Sequence, residues 1–345
     1  MAEHMVRYPK PLQAGDTIAV TAPSAGCEPR HQGRLDFALK WLRDKGFEVI
    51  EGNCLRGGTQ VSAPVAERAA ELNAFLTDAS ISAVVPPWGG ETSIDLIDLL
   101  DYDAIRAAEP TWLVGFSDTS TQLLALTLRT GLATLHGHNL MDTPYDLPQG
   151  LAPWWVAAAT PAGGTFTQRA ATHRRPPGFD DWEKDPTPTT MPLNVPTSWK
   201  VLHGPSSLEI SGRLIGGCVE VLSPLAGTAY GDVRAFGQQH ASDGLLVYLE
   251  VCEQGAYDVA RALHGMRLAG WFDNANAVLL GRTSARDAQY MSQHDAAIDA
   301  LARLDIPIIA DMDFGHVPPY MSFVNGGLAT VTVDAGRRKI SQTLR

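Results

Sequence analysis

The chain has 345 residues, 45% of them hydrophobic and 19% charged, enough for about two globular domains and too apolar for disorder. Lys plus Arg number 27 against 38 Asp plus Glu, a formal net charge of -11. That balance excludes a binder of nucleic-acid polymers and disfavours anionic membranes. No apolar run reaches the roughly 18 residues that span a bilayer. Residues 1–10 carry His4, Arg7 and Lys10 without an apolar centre, so they are not expected to act as a secretory signal. Cys27, Cys54, Cys218 and Cys252 form no C-x-x-C pair, which reads as free thiols in a reducing cytoplasm.

In chain order, residues 17–22 (TIAVTA) form a β-rich run that stops at Pro23-Ser24-Ala25-Gly26. Leu35, Ala38, Leu39 and Leu42 then recur at helical spacing, with Gly46 as the stop. A short strand is expected over residues 47–50, a helix over 66–76 and a buried strand over 81–85. That strand runs into Pro86-Pro87-Trp88-Gly89-Gly90. Residues 93–100 read as helical, 111–116 as a strand and 119–130 as a helix. Alternating strands and helices imply a parallel sheet covered on both faces, with ligands at the carboxyl ends of its strands.

Residues 143–198 break the pattern. They are rich in Pro and Thr, contain Trp154, Trp155 and Trp182, and read as a connector with little regular structure. Periodicity then returns. Strands are expected over residues 212–215, 219–222, 245–251, 277–280 and 306–310. Helices are expected over 258–269 and 292–304, and a last strand over 330–333. The division is a domain over 1–142, a connecting segment over 143–200 and a second domain over 201–345.

The sharpest local feature is Gly115-Phe116-Ser117-Asp118, where a hydrophobic strand meets an amphipathic helix. A serine at such a turn projects its hydroxyl from the sheet edge, next to unpaired N–H groups of the helix start. The same residues also suit a plain helix N-cap. A nucleophile needs a base and an orienting acid. His316, in Asp313-Phe314-Gly315-His316, follows a strand and is the first candidate base; His136 and His138 are its rivals. The latter pair would also suit a metal, but no third ligand stands at a recognisable spacing. Glu250 ends the apolar run LLVYL, where a carboxylate is costly without a partner, unless it already faces solvent. Gly89 and Gly90 offer close backbone approach and N–H donors, or simply a tight turn. Neither a dinucleotide fingerprint nor a P-loop is present.

These pieces together resemble the LD-carboxypeptidase family of serine peptidases. The resemblance rests on an ordered set of motifs over almost the whole chain: GDTIAVTAPSAG, PWGGETS, TWLVGFSDTS, GRLIGG, LLVYLEVCEQGAYDVAR, AVLLGR and IIADMDFGHVPP. It implies an α/β fold: an N-terminal Rossmann-like or flavodoxin-like parallel sheet domain and a C-terminal swivelling β/β/α domain. It implies a triad of Ser117, Glu250 and His316. The oxyanion hole would come from the backbone N–H of Asp118 and of Gly89 or Gly90. It implies amide hydrolysis without metal or organic cofactor, in a cytoplasmic homodimer.

Two branches of the family are similar to this chain. Murein LD-carboxypeptidases release D-alanine from cell-wall tetrapeptides and usually show an Arg-Gly-Gly-Tyr-Gly stretch where this chain has Pro87-Trp88-Gly89-Gly90-Glu91. Microcin C immunity peptidases cleave an amino acid from a nucleotide-like moiety, with a connector tryptophan stacked on the base; Trp182 matches that position. Trp88 and Glu91, flanking the glycine pair, are further candidate substrate contacts. Three positions depart from the family pattern: Cys218 stands where asparagine is frequent, Val251 where an acid is frequent, and Gln254 where the immunity branch has lysine. The leading expectation is an amide hydrolase of the immunity branch, acting on a small peptide or aminoacyl-nucleotide. The alternatives are a murein tetrapeptide carboxypeptidase and a non-catalytic small-molecule binder.

Overall fold

The computed structural model describes residues 5–58 and 60–345. Its first sheet has six strands, in the order Phe323–Asn325, Thr134–His136, Trp112–Gly115, Ile81–Val85, Thr17–Val20, Glu48–Glu51. The five strands from the N-terminal half are mutually parallel. Counted along the chain they run 2-1-3-4-5, the flavodoxin-like order, whose switch point lies between strands Thr17–Val20 and Ile81–Val85. The sixth, Phe323–Asn325, comes from the far end of the chain and pairs antiparallel with Thr134–His136.

Local sequence explains these elements. Helix Gln32–Asp44 buries Leu35, Ala38, Leu39 and Leu42, the i, i+3, i+4, i+7 stripe that faces a sheet. Helix Ser120–Thr130 is buried almost all round, because it lies between the two sheets. Residues 93–100 were expected to be helical, yet only Ser93–Leu96 form a short 3₁₀ turn. A helix over Tyr102–Ala107, with Asp101 accepting a hydrogen bond from the Ala104 N–H as its N-cap, was not foreseen.

The second sheet has eight strands: Thr165–Arg169, Arg338–Thr343, Leu328–Val333, Leu208–Cys218, Leu245–Glu250, Ala275–Gly281, Ile308–Met312, Lys200–His203. Its four central strands, from Leu208–Cys218 to Ile308–Met312, are parallel, and antiparallel strands flank them on both sides. Two expectations fail here. Residues 219–222 form a helix, not a strand: Val219 and Leu222 are buried one turn apart, and this packing overrides the β preference of two valines. Residues 330–333 are not the last strand, since Arg338–Thr343 follows and pairs with it. The connector also holds more structure than its composition suggested. Thr165–Arg169 is an edge strand of the second sheet, and Trp154–Ala158 is a short helix.

A buried network ties the sheets together. Asn325 Oδ1 accepts from the Tyr248 hydroxyl at 2.7 Å and from the Gly216 N–H at 3.2 Å, while its Nδ2 donates to Thr134 Oγ1 at 3.1 Å. The Cys218 N–H donates to Ser120 Oγ at 3.3 Å, docking a strand of the second sheet on the helix that leaves Ser117. The carboxyl ends of both parallel sets therefore face one another. No helix among the described residues is long and apolar enough to cross a membrane.

Candidate active site

Strand Trp112–Gly115 is fully buried and ends at Phe116, after which the chain turns sharply into the helix. Ser117 carries the turn with φ of 61°, a left-handed conformation that costs a non-glycine residue free energy and needs support from its surroundings. That support comes from its neighbours. The Phe116 N–H donates to Asn139 Oδ1 at 3.2 Å. Asp118, 2% exposed, accepts from Ser24 Oγ at 2.5 Å and from the Ser93 N–H at 2.9 Å. Its carboxylate thus draws together the loops that follow the first and third strands of the sheet.

Gly89 and Gly90 lie against this turn. A Cβ at Gly89 would stand 2.9 Å from Ser117 Cβ and 3.0 Å from its Oγ; one at Gly90 would stand 2.3 Å from Ser24 Oγ. Only glycine allows the backbone this close to the serine. The N–H groups at the start of the helical run 117–119, that of Asp118 among them, lack intrahelical partners by geometry.

The second sheet supplies the other two groups. His316 Nε2 is 2.9 Å from Ser117 Oγ, and His316 Nδ1 is 2.8 Å from Glu250 Oε2. Ser117, His316 and Glu250 are therefore one hydrogen-bonded chain, although Ser117 and His316 lie 199 positions apart in sequence. Glu250 is 1% exposed, so the solvent-facing alternative does not hold. Burial alone would raise its pKa, but the charge and hydrogen bond of His316 outweigh burial and hold it below the ordinary glutamate value. Burial likewise opposes protonation of His316, and the Glu250 charge beside it wins, holding the imidazole well above the ordinary histidine value.

Distant contacts fix both residues. Glu220 Oε1 accepts the N–H groups of Cys252, Glu253 and Gln254 at 2.9–3.1 Å, pinning the turn after Glu250. The loop of His316 is braced by a buried ion pair between Arg282 and Asp313. Arg282 Nη2 also donates to the carbonyls of Val317 at 3.2 Å and Pro319 at 2.7 Å. Asp313 Oδ2 accepts from Trp199 Nε1 at 2.7 Å and from the Ala171 N–H at 3.2 Å. Ser24, Glu220, Arg282 and Asp313 escaped the sequence reading, because each acts through a partner far away in the chain. An acid two residues after Gly216-Gly217-Cys218 was the one local hint of Glu220.

The rival histidines take no part in this hydrogen-bonded chain, although His136 lies near enough to Glu250 and His316 to feel their charges. His136 has no hydrogen-bond partner at either ring nitrogen among the described residues and packs edge-on against Tyr248 at 5.4 Å. Burial depresses His136 to about 4 and His138 to about 3, so both stay neutral. Neither belongs to a metal-type cluster among the described residues. The four cysteines are all free thiols.

The candidate substrate contacts form two groups. Trp88 is held by its indole N–H, which donates to the Ala25 carbonyl at 3.1 Å. Glu91 is exposed, and partial burial together with the charges of Asp118, Glu253 and Glu220 raises its pKa. Trp182 is half-buried in a polar cluster of the connector. Its indole donates to the Tyr145 hydroxyl at 2.9 Å, and that hydroxyl donates to Asp180. Arg175 grips the same carboxylate with two hydrogen bonds at 3.0 and 3.1 Å. The Arg34 guanidinium lies 5.0 Å from the Trp182 ring centre, so a cation covers part of one ring face.

Comparison with known proteins gives these groups a context. Residues 18–137 match the LD-carboxypeptidase N-terminal domain and residues 211–331 the LD-carboxypeptidase C-terminal domain. A candidate carboxypeptidase of Streptomyces coelicolor is 30% identical, covering 95% of this chain and 94% of its own. The microcin C7 self-immunity protein MccF of Escherichia coli is 24% identical, covering 96% and 94%. The murein tetrapeptide carboxypeptidase of Pseudomonas aeruginosa is 28% identical, covering 82% and 83%. Among solved structures, an MccF-like protein of Bacillus anthracis superposes with a TM-score of 0.79 at 24% identity, covering 98% of this chain and 100% of that one. MccF in complex with glutamyl sulfamoyl guanosine superposes with a TM-score of 0.80 at 22% identity, covering 98% of each. With both of its domains matched in order, the chain belongs to the LD-carboxypeptidase family of peptidases.

Proposed function

We propose that this chain is a serine-type peptidase that hydrolyses an amide bond in a small aminoacyl-nucleotide conjugate. The observation that carries the reading is the unbroken chain Ser117 Oγ, His316 Nε2, His316 Nδ1, Glu250 Oε2, with links of 2.9 and 2.8 Å. Neutral His316 takes the Ser117 proton as Oγ attacks the carbonyl carbon. Glu250 holds the ring in the tautomer that leaves Nε2 free and stabilises the imidazolium that forms. The negative oxygen of the tetrahedral intermediate lies against the Asp118 N–H and a glycine N–H of the pair 89–90, each donor worth about 10²–10³ in rate. His316 returns the proton to the leaving amine, and water repeats the sequence to free Ser117.

The substrate class rests on two supports. MccF, similar over nearly its full length, forms complexes with glutamyl sulfamoyl guanosine and aspartyl sulfamoyl adenosine. The connector of this chain also presents the half-buried Trp182, whose ring face away from Arg34 suits a nucleobase. The net charge of -11 does not oppose such a ligand, because backbone N–H groups and a stacked ring hold it locally.

The test is hydrolysis of two substrates side by side: an aminoacyl sulfamoyl nucleoside and a murein tetrapeptide. The expected result is release of the amino acid from the first, abolished in Ser117→Ala. Release of D-alanine from the second alone would favour the murein activity. Turnover of neither, with no acylation of Ser117, would make the chain a binding protein.

A further inference from the structure

A second cluster shares the His316 ring with Ser117. Cys218 ends one strand of the second sheet and Glu250 ends its parallel neighbour, and the two residues are directly paired. One ligand-type atom from each of Cys218, Glu250 and His316 lies within 4.8 Å of the others. Cys218 is 2% exposed and Glu250 1%. Glu250 spends only one oxygen on the triad. Oε2 pairs with His316, while Oε1 is buried and has no hydrogen-bond partner among the described residues. A buried carboxylate oxygen left without a donor is costly, and the hydrolytic chain makes no use of it. The thiol is equally unused in hydrolysis; it donates to Glu220 Oε2 at 3.1 Å and also lies within hydrogen-bonding reach of the Glu250 carboxylate.

We propose that Cys218, Glu250 and His316 form a binding site for a soft divalent cation of the zinc type, and that occupancy switches hydrolysis off. Thiolate, imidazole and carboxylate are the donors that Zn²⁺ takes, and the sulfur selects against Mg²⁺ and Ca²⁺. Zinc bonds of about 2.3 Å to sulfur and about 2.0–2.2 Å to nitrogen and oxygen put tetrahedral ligand atoms roughly 3.3–3.7 Å apart. The Nδ1–Oε2 pair stands at 2.8 Å and every other pair within 4.8 Å, so small side-chain shifts close the site. The charges of the three ligands also balance, since a dication meets one thiolate and one carboxylate; the Glu220 carboxylate, 3.1 Å from the sulfur, adds a further negative charge that favours a cation there. The His316 side chain, 19% exposed, marks the way in.

Starting from neutral His316, binding releases one proton, that of the Cys218 thiol. The metal takes the Nδ1 lone pair and the ring proton moves to Nε2. There it points at Ser117 Oγ, and the ring no longer accepts the serine proton. The metal site stands on geometry alone; only its effect on turnover rests on the hydrolase reading.

The test starts with Zn²⁺ binding to the full chain, measured by competition with a chromophoric chelator, in the wild type and in Ser117→Ala. Both are expected to bind one ion per chain. Cys218→Ser should weaken binding by about 100-fold, since even outer partners of zinc ligands are worth about 10–100-fold. Cys252→Ser, at the neighbouring thiol beside His316, should leave it unchanged. With Cd²⁺ in place of Zn²⁺, the wild type should show a sulfur-to-metal charge-transfer band that Cys218→Ser lacks. One equivalent of Zn²⁺ should stop wild-type turnover and a chelator restore it. A wild type without the cadmium band overturns the site, whether or not Cys218→Ser folds. Binding that survives Cys218→Ser, or that is lost in Cys252→Ser instead, overturns it too. A zinc-loaded chain that still turns over at full rate overturns the switch. If no substrate is hydrolysed at all, the binding arms still decide the site, so the two proposals fail separately.

Discussion

Ser117 and His316 meet at 2.9 Å, yet the sheets that carry them hold them by different means. Ser117 stands in a contiguous run, strand Trp112–Gly115 followed directly by a helical turn and helix Ser120–Thr130. Its turn follows from neighbours in sequence, and the Asp118 carboxylate ties that turn to the loops after the first and third strands, 94 and 25 positions away. His316 and Glu250 stand at strand ends too, but their loops are set by clamps from afar. Glu220 reaches three N–H groups more than thirty residues away, and Asp313 is held by Arg282, Trp199 and Ala171. The nucleophile's conformation is set by a sharp local turn that one buried carboxylate braces, whereas the base and its acid depend on several buried polar clamps on the loops that carry them.

Changes on the two sides should therefore fail differently. The largest effect is chemical and falls on both. Ser117→Ala or His316→Ala should each lower kcat by about 10⁴–10⁶, with unchanged circular dichroism. Glu250→Gln should cost about 10⁴ in kcat by disturbing the imidazole tautomer. It should also move the pH profile. His316 is held well above the ordinary histidine value, so kcat/KM should rise with pH through an apparent pKa above about 6.5. Losing the Glu250 charge should shift that acid limb down; an unmoved limb would mean that Glu250 does not set the titration.

Next comes a change confined to the second sheet. Arg282→Met leaves Asp313 buried without its cation and should cost about 3–5 kcal/mol of stability in denaturant unfolding. On the first sheet, Gly89→Ala should fall more on turnover than on stability. Its methyl would crowd Ser117, lowering kcat by about 10² with an overpacking cost of about 1–3 kcal/mol. The smallest effect belongs to the connector. Trp182→Ala should raise KM for a nucleoside conjugate roughly tenfold, with kcat nearly unchanged. Equal loss on a murein peptide would argue against base stacking.

The same contrast decides how much the sequence could tell. The first sheet was legible because its helices carry a 3.6-residue stripe and its strands end in Gly-rich turns; Leu35, Ala38, Leu39 and Leu42 are buried as their spacing required. Ser117 was visible as a strand-to-helix turn. Glu250 and His316 were visible only as chemistry-bearing residues at strand ends, and family resemblance, not spacing, joined them to Ser117. Val219–Leu222 misled because two valines in four residues suit a strand, while burial of Val219 and Leu222 on one helical face decided otherwise. Strands Thr165–Arg169 and Arg338–Thr343 are mostly polar, with Phe166 and Ile340 their only apolar residues, and it is pairing with each other and with Leu328–Val333 that makes them the margin of the second sheet. Gln168 and Asn325 look like surface residues in sequence. Both are fully buried, because their amides meet backbone and side-chain partners from distant segments.

The central claim is that Ser117 is a nucleophile activated by His316 across the two sheets. Mass spectrometry after treatment with a fluorophosphonate tests it without knowledge of the substrate. The account predicts one adduct per chain on Ser117 in the wild type, and none in Ser117→Ala or His316→Ala. An adduct on another residue, or labelling of Ser117 that proceeds equally fast in His316→Ala, would contradict it.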